Sequence, residues 1–232
     1  MTISLIHRAL AALLSYPSAE LLAHVDELRA VFAAERRLGQ SERAGLDSLL
    51  AHLSATDLLE AQGEYVDTFD RGRAASLNLF EHVHGDSRDR GQAMVDLLAM
   101  YGSSGLDLAV SDLPDHLPVF LEYVSLLPEA EGKARLQEVQ HLIEVIGITL
   151  TRRASPYRAV FEALLCLAGE AEAQSKLRAA ADSARAPSED RTPEAIDAAW
   201  VDEPVSFLGA CTPQQHGTQT QTQTISFERR TA

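Results

Sequence analysis

Only two cysteines, one tryptophan and an aromatic content of 6% stand in 232 residues, and each scarcity excludes something. Cys166 and Cys211 are too few for a disulfide framework and lack the spacing of a metal site. Cys166 lies in an apolar run and is expected to be a buried thiol. Few aromatic residues and no period-two alternation argue against a sheet. No apolar run approaches the roughly 20 residues that cross a bilayer. The first residues, Met1 to Arg8, place no basic region ahead of an apolar segment, so a cytoplasmic protein is expected. A Gly-x-Ser-x-Gly elbow, a Walker loop and a dinucleotide fingerprint are all missing, which removes the common routes to hydrolase, nucleotide or nicotinamide chemistry.

What is present is helical periodicity. Hydrophobic residues make up 46% and charged residues 23%, an ordinary globular balance. Apolar residues recur at three and four positions in eight stretches. These are Leu5–Leu14, closed by Pro17; Leu21 to Arg37, stopped by Gly39; Leu46–Leu53; Asp57–Phe69; Ser87–Tyr101, with Met94, Leu97, Leu98 and Tyr101 as its buried face; Asp115–Leu127; Val139–Leu150; and Tyr157–Ala168. The expected fold is all-α, a single helical-bundle-like domain of about eight helices over residues 1–170. Residues 171–192 read as a linker or solvated helix end. Residues 193–208 hold one short helix ending near Trp200, and residues 209–232 form a Gln/Thr-rich tail expected to be disordered and flexible.

The net charge is −14. The last 20 residues carry +1, leaving −15 on residues 1–212. Such a body repels nucleic-acid phosphates and anionic membranes and attracts cationic partners.

The densest chemistry lies in Leu77-Asn78-Leu79-Phe80-Glu81-His82-Val83-His84-Gly85-Asp86-Ser87-Arg88-Asp89-Arg90. Leu79 and Phe80 suit core anchors for a loop. Glu81, His82, His84 and Asp86 are ligand types for divalent metals, which keeps open a small metal-dependent helical enzyme using His82 and His84. Against it, no third ligand stands at a diagnostic distance. Arg88 and Arg90 sit in a first helical turn, where the macrodipole disfavours cations. They serve either local ion pairs with Asp86 and Asp89 or a direct partner contact. A second short run, Leu113-Pro114-Asp115-His116-Leu117-Pro118, reads as a helix start with Asp115 as cap and Pro118 in the first turn.

The first run resembles the signature of the NarJ family, assembly chaperones of respiratory nitrate reductase. The second is similar to the Asp-His hinge motif of the wider group of helical chaperones for molybdenum enzymes. The likeness covers most of residues 1–170, and Trp200 to Phe207 resembles the family's C-terminal segment. The resemblance implies a chaperone, not an enzyme, with no cofactor or metal of its own. Its partner is the catalytic (alpha) subunit of membrane-bound nitrate reductase, chiefly the N-terminal peptide, which tends to be basic and amphipathic. The chaperone supports molybdenum cofactor insertion before membrane docking and is absent from the finished enzyme. The client-peptide or motif residues implied are Leu79, Phe80, Glu81, His82, His84, Asp86, Arg88, Arg90, Asp115, His116 and Pro118. Another molybdenum oxidoreductase as client is the alternative within this class.

The tail offers Ile225 and Phe227 as its large apolar residues, too little for a core, though enough for self-association through an added strand. Removing residues 209–232 is expected to leave the melting temperature unchanged in a thermal scan. A large drop means that the tail docks onto the body.

Overall fold

Twelve α-helices and one 3-10 turn make up the regular structure among the described residues of a computed structural model, which describes residues 4–84, 88–108 and 113–182. They are α1 (Leu5–Leu14), α2 (Ala19–Ala23), α3 (Val25–Ala34), α4 (Gln40–Ala55), α5 (Leu58–Phe69), α6 (Glu81–His84), α7 (Arg88–Ser103), α8 (Leu117–Leu126), α9 (Glu129–Glu138), α10 (Gln140–Arg152), α11 (Arg158–Ala168) and α12 (Ala171–Asp182), with the 3-10 turn at Arg73–Ala75. The all-α class holds. Among the described residues the nearest approach to a sheet is one isolated antiparallel bridge, between Asn78 and His116.

Two helices form the hubs. On α11 the side chains of Val160, Phe161, Leu164 and Leu165 are fully buried, and the helix packs against α4, α9, α10 and α12. On α8, Leu117, Phe120, Leu121 and Val124 are buried, chiefly against α1. An aromatic cluster joins α5 to the start of α11. Tyr65 stands 4.9 Å from Phe69 and Phe69 stands 5.0 Å from Tyr157, with the Tyr65 hydroxyl donating to the Leu14 carbonyl at 2.8 Å. Burial at about 25 cal/mol per Å² of apolar surface makes this contiguous core the dominant stabilising element.

The helix count exceeds eight for identifiable reasons. The stretch expected to run from Leu21 to Arg37 breaks at His24, so α2 and α3 are separate and end at Ala34. Helix α9 has only Gly132 and Leu136 buried, so its apolar signal is too sparse to show periodicity. Residues 171–182, expected to be linker or a solvated helix end, form α12, with Ala173 and Leu177 buried. A glycine allows this. A Cβ on Gly147 of α10 would lie 2.8 Å from Leu177 Cδ2 and 3.1 Å from Phe161 Cβ. The turn into α12 needs a second glycine, Gly169, whose φ of 80° ends α11 in the left-handed region. The rest of residues 171–192, the short helix within 193–208, the 209–232 tail and Cys211 lie outside the described residues.

Further expectations shift in detail. Leu59, inside the apolar stretch Asp57–Phe69, is exposed. Leu98 is likewise exposed, and Met94 and Leu97 are half-buried, so Tyr101 alone of the expected α7 face is fully buried. Cys166 is half-buried, its thiol donating to the Arg37 carbonyl at 3.3 Å.

His7, on α1, is buried with neither ring nitrogen hydrogen-bonded among the described residues. Burial, aided by the nearby Arg37 charge and opposed by Glu35, pulls its pKa down from 6.5 to about 4. The unfolded chain then takes up the proton more readily, so stability is full above 6.5 and is lost as pH falls through that value toward 4. His7→Leu, which removes the titration, is expected to gain about 1 kcal/mol on wild type between pH 7 and pH 5.5 in urea unfolding. Parallel curves for the two proteins contradict this.

Candidate functional site

The two sequence runs singled out above, some 35 positions apart, meet in space. The chain leaves the 3-10 turn at Arg73–Ala75 in extended form and lies antiparallel to the segment that enters α8. The Leu79 amide donates to the Asp115 carbonyl at 2.9 Å, and the Leu117 amide donates to the Leu77 carbonyl at 2.8 Å. Leu77, Leu79 and Leu117 are buried beneath this ladder, so Leu79 anchors the loop. Phe80 is half-buried.

Asp115 is the centre of the junction. Its side chain is fully buried, and its Oδ2 accepts from the Phe80 amide at 3.1 Å. It therefore does not cap α8. His116 occupies that position without a side-chain cap, and Asp115 instead serves the amide just ahead of α6, across the ladder. The physical reason is position: Asp115 lies one residue too early for α8, while its side chain reaches the unpaired amide opposite. Pro118 falls in the first turn of α8, as its missing amide proton favours.

Charged groups close over this centre. Arg90 Nη2 lies 3.6 Å from Asp115 Oδ2 and 3.7 Å from Glu81 Oε1. Glu81 Oε1 also accepts from the Asn78 amide nitrogen at 3.2 Å. Among the described residues Arg90 pairs with Glu81 and Asp115, while Asp86, a partner expected from the sequence, lies outside them. The His82 ring donates through Nε2 to the Ser76 carbonyl at 2.9 Å, which folds the start of α6 back on the loop. From the other side, the buried Tyr101 hydroxyl donates to the Pro114 carbonyl at 2.8 Å. Helix α7 is thus tied to the junction near both ends, through Arg90 and through Tyr101.

Of the expected site residues, the structure brings Leu79, Phe80, Glu81, His82, Arg90, Asp115, His116 and Pro118 together. Asp86 and the side chains of His84 and Arg88 lie outside the described residues. Among the described residues, no group of three or more His, Cys, Asp or Glu could hold a metal ion, and the His82 Nε2 is engaged by backbone. Sequence reading did not find the Tyr101 hydroxyl contact or the Ser76 and Asn78 links. Nothing in helical periodicity distinguishes a tyrosine that packs from one that also donates.

The family model described as nitrate reductase delta subunit matches residues 35–163, a span that holds both runs. The nitrate reductase molybdenum cofactor assembly chaperone NarJ of Escherichia coli K12 is 45% identical over 197 residues, 84% of this chain and 82% of that protein. This chain belongs to the NarJ family. A probable chaperone of the same description from Escherichia coli K12, NarW, is 46% identical over 65% of this chain and 64% of its own length. A probable NarJ of Bacillus subtilis is 27% identical over 68% of this chain and 84% of its own. In this NarJ-family chain the matched region carries all of α8 and α10 and the first part of α11, so the junction falls within it.

Burial pushes the Asp115 carboxyl above its ordinary value, while the Phe80 amide and Arg90 pull the other way. The folded state therefore binds this proton more readily than the unfolded chain, and the group's contribution to stability rises as pH falls through the carboxylate range. Glu35, held down to about 2 chiefly by its hydrogen bond from Arg37, behaves oppositely. In urea unfolding, wild type is expected to gain on Asp115→Asn as pH is lowered from neutral toward 4. A gain for the Asn variant contradicts the geometry.

Proposed function

We infer that this protein is an assembly chaperone for the molybdenum cofactor of a respiratory nitrate reductase. Membership of the NarJ family carries this reading, since the matched relatives bear that role in their names. Its client is the catalytic subunit, bound through that subunit's basic, amphipathic N-terminal peptide in the cytoplasm. The chaperone keeps the subunit open to cofactor insertion before membrane docking, then leaves, and performs no catalysis of its own. No helix among the described residues is long and apolar enough to cross a membrane.

The proposed client surface is the junction of Leu79, Phe80, Glu81, His82, Arg90, Asp115, His116 and Pro118, together with His84, Asp86 and Arg88 of the same run. What supports it is preorganisation. A loop tied down by Asp115, Arg90 and His82 presents its outer face at little further entropic cost. The charge of −14 steers a cationic peptide toward the protein and speeds encounter. An apolar helix face supplies the part of the affinity that salt does not screen. Release is built in, because a reversible contact of this kind is governed by dissociation rate.

Calorimetry with the N-terminal peptide of the catalytic subunit is expected to show binding that weakens, but persists, as salt rises from low to physiological strength. Nitrate reductase made in cells lacking this protein is expected to be deficient in molybdenum. Absence of peptide binding together with full molybdenum content overturns the proposal.

A further inference from the structure

A cavity of about 650 Å³ lies between α4, α11 and α12, lined by none of the junction residues. Its walls are mostly small side chains: Gly45 and Ser48 on α4, Ala154 and Pro156 ahead of α11, Ala159 on α11, and Ala181 on α12. Helices α4 and α11 approach closely here, since a Cβ on Gly45 would lie 3.2 Å from the Ala159 Cβ. Small walls leave room for a large side chain, and the volume is that of an ordinary binding cleft. Two cations and one acid line the cavity, Arg158, Arg178 and Glu162. Arg178 also holds the buried Glu42 at 2.9 Å. Arg158 is exposed and makes no ion pair among the described residues, although Glu162 follows it by four positions. A guanidinium left unpaired beside small apolar walls suits the face of an aromatic ring.

Where the chain leaves α12 decides what reaches this cavity most easily. Ala181 lines it, and the neighbouring Asp182 is the last described residue. Residues 183–232 continue from that point, and the first large apolar side chains they offer are Ile196 and Trp200. The stretch 183–192 spans up to roughly 30 Å when extended, ample for a return to a cavity at its own point of departure. In the short helix expected to end near Trp200, Ile196 and Trp200 stand four positions apart and share a face. Asp197 borders that face, about 60° round from Trp200, and residues 193–200 hold no Lys or Arg. A short tether gives the segment an effective concentration of order millimolar, so a contact of modest strength keeps it seated. A second copy of this chain lacks that advantage and brings a further −14.

We propose that segment 193–200 of this chain folds back on the body and seats the Trp200 indole in the cavity between α4, α11 and α12. The small walls admit the ring, Arg158 stacks on its face, Ile196 closes over the rim, and Asp197 meets the exposed guanidinium groups. The segment then straps three helices together where α11, one hub of the fold, begins.

Trp200 is the only tryptophan, so emission excited beyond the tyrosine band reports on this seat alone in the full chain. Native wild type is expected to emit well to the blue of the same protein in urea, with several-fold weaker quenching by acrylamide. Ser48→Glu, at an exposed position of the wall, fills the cavity and repels Asp197, and is expected to move emission toward the unfolded value. Arg158→Ala is expected to raise quenching, and Val95→Glu, at an exposed site on α7, to change neither readout. Trp200→Ala is expected to lower the melting temperature by a few degrees. Emission at the unfolded wavelength in native wild type overturns the proposal, and so does an unchanged melting temperature for Trp200→Ala. A blue-shifted indole indifferent to both Ser48→Glu and Arg158→Ala is buried elsewhere, which also overturns it. If the shift disappears on dilution while sedimentation shows a dimer dissociating, the indole comes from a second copy and the intrachain seat is wrong.

Discussion

A carboxylate with no exposure to water, set where two chain segments cross, is the constraint on which the junction depends. Asp115 gives its carbonyl to Leu79 and its Oδ2 to Phe80, so one residue satisfies two successive amides of the opposite segment. Leaving a buried donor unpaired costs about 1–3 kcal/mol. Losing Asp115 therefore penalises the loop, not only the side chain removed. Arg90 and Glu81 stand at 3.6–3.7 Å, close enough to favour the charged form against the desolvation that opposes it. The result is an irregular loop with the order of a helix end.

The fold serves this junction by holding its two sides independently. Helix α8 continues directly from the hinge into the core against α1, which fixes the Asp115 side. The loop side follows from α5 through the 3-10 turn, which packs on α10. Helix α7 is different in kind. Arg90 and Tyr101 anchor it near its ends, and among its described side chains only Tyr101 is fully buried. A helix held mainly at its ends is expected to open more readily than the α8 and α11 hubs.

Much of this was legible in the sequence. The periodic stretches from α1 through α11 announced the helical class, and the Leu46–Leu53 and Tyr157–Ala168 stripes are buried as their spacing requires. Two unusual runs, 35 positions apart, meet at one junction. Periodicity failed where burial depends on a neighbour. Leu177 reads as solvated until Gly147 opens a seat for it. Leu98 reads as core because helical spacing does not tell how wide the covered arc is. Asp115 reads as a cap for the helix that follows, because a partner 35 positions upstream leaves no trace in local pattern.

The most direct measurement is native-state hydrogen exchange at the Leu79, Phe80 and Leu117 amides, compared between wild type and Asp115→Ala. The account predicts strong protection at all three in wild type. The substitution should drop protection sharply at Leu79 and Phe80, with Val160 and Leu164 of α11 still protected. Exchange at loop rates in the wild-type protein, or protection indifferent to the substitution, contradicts the claim that Asp115 holds the two motifs together.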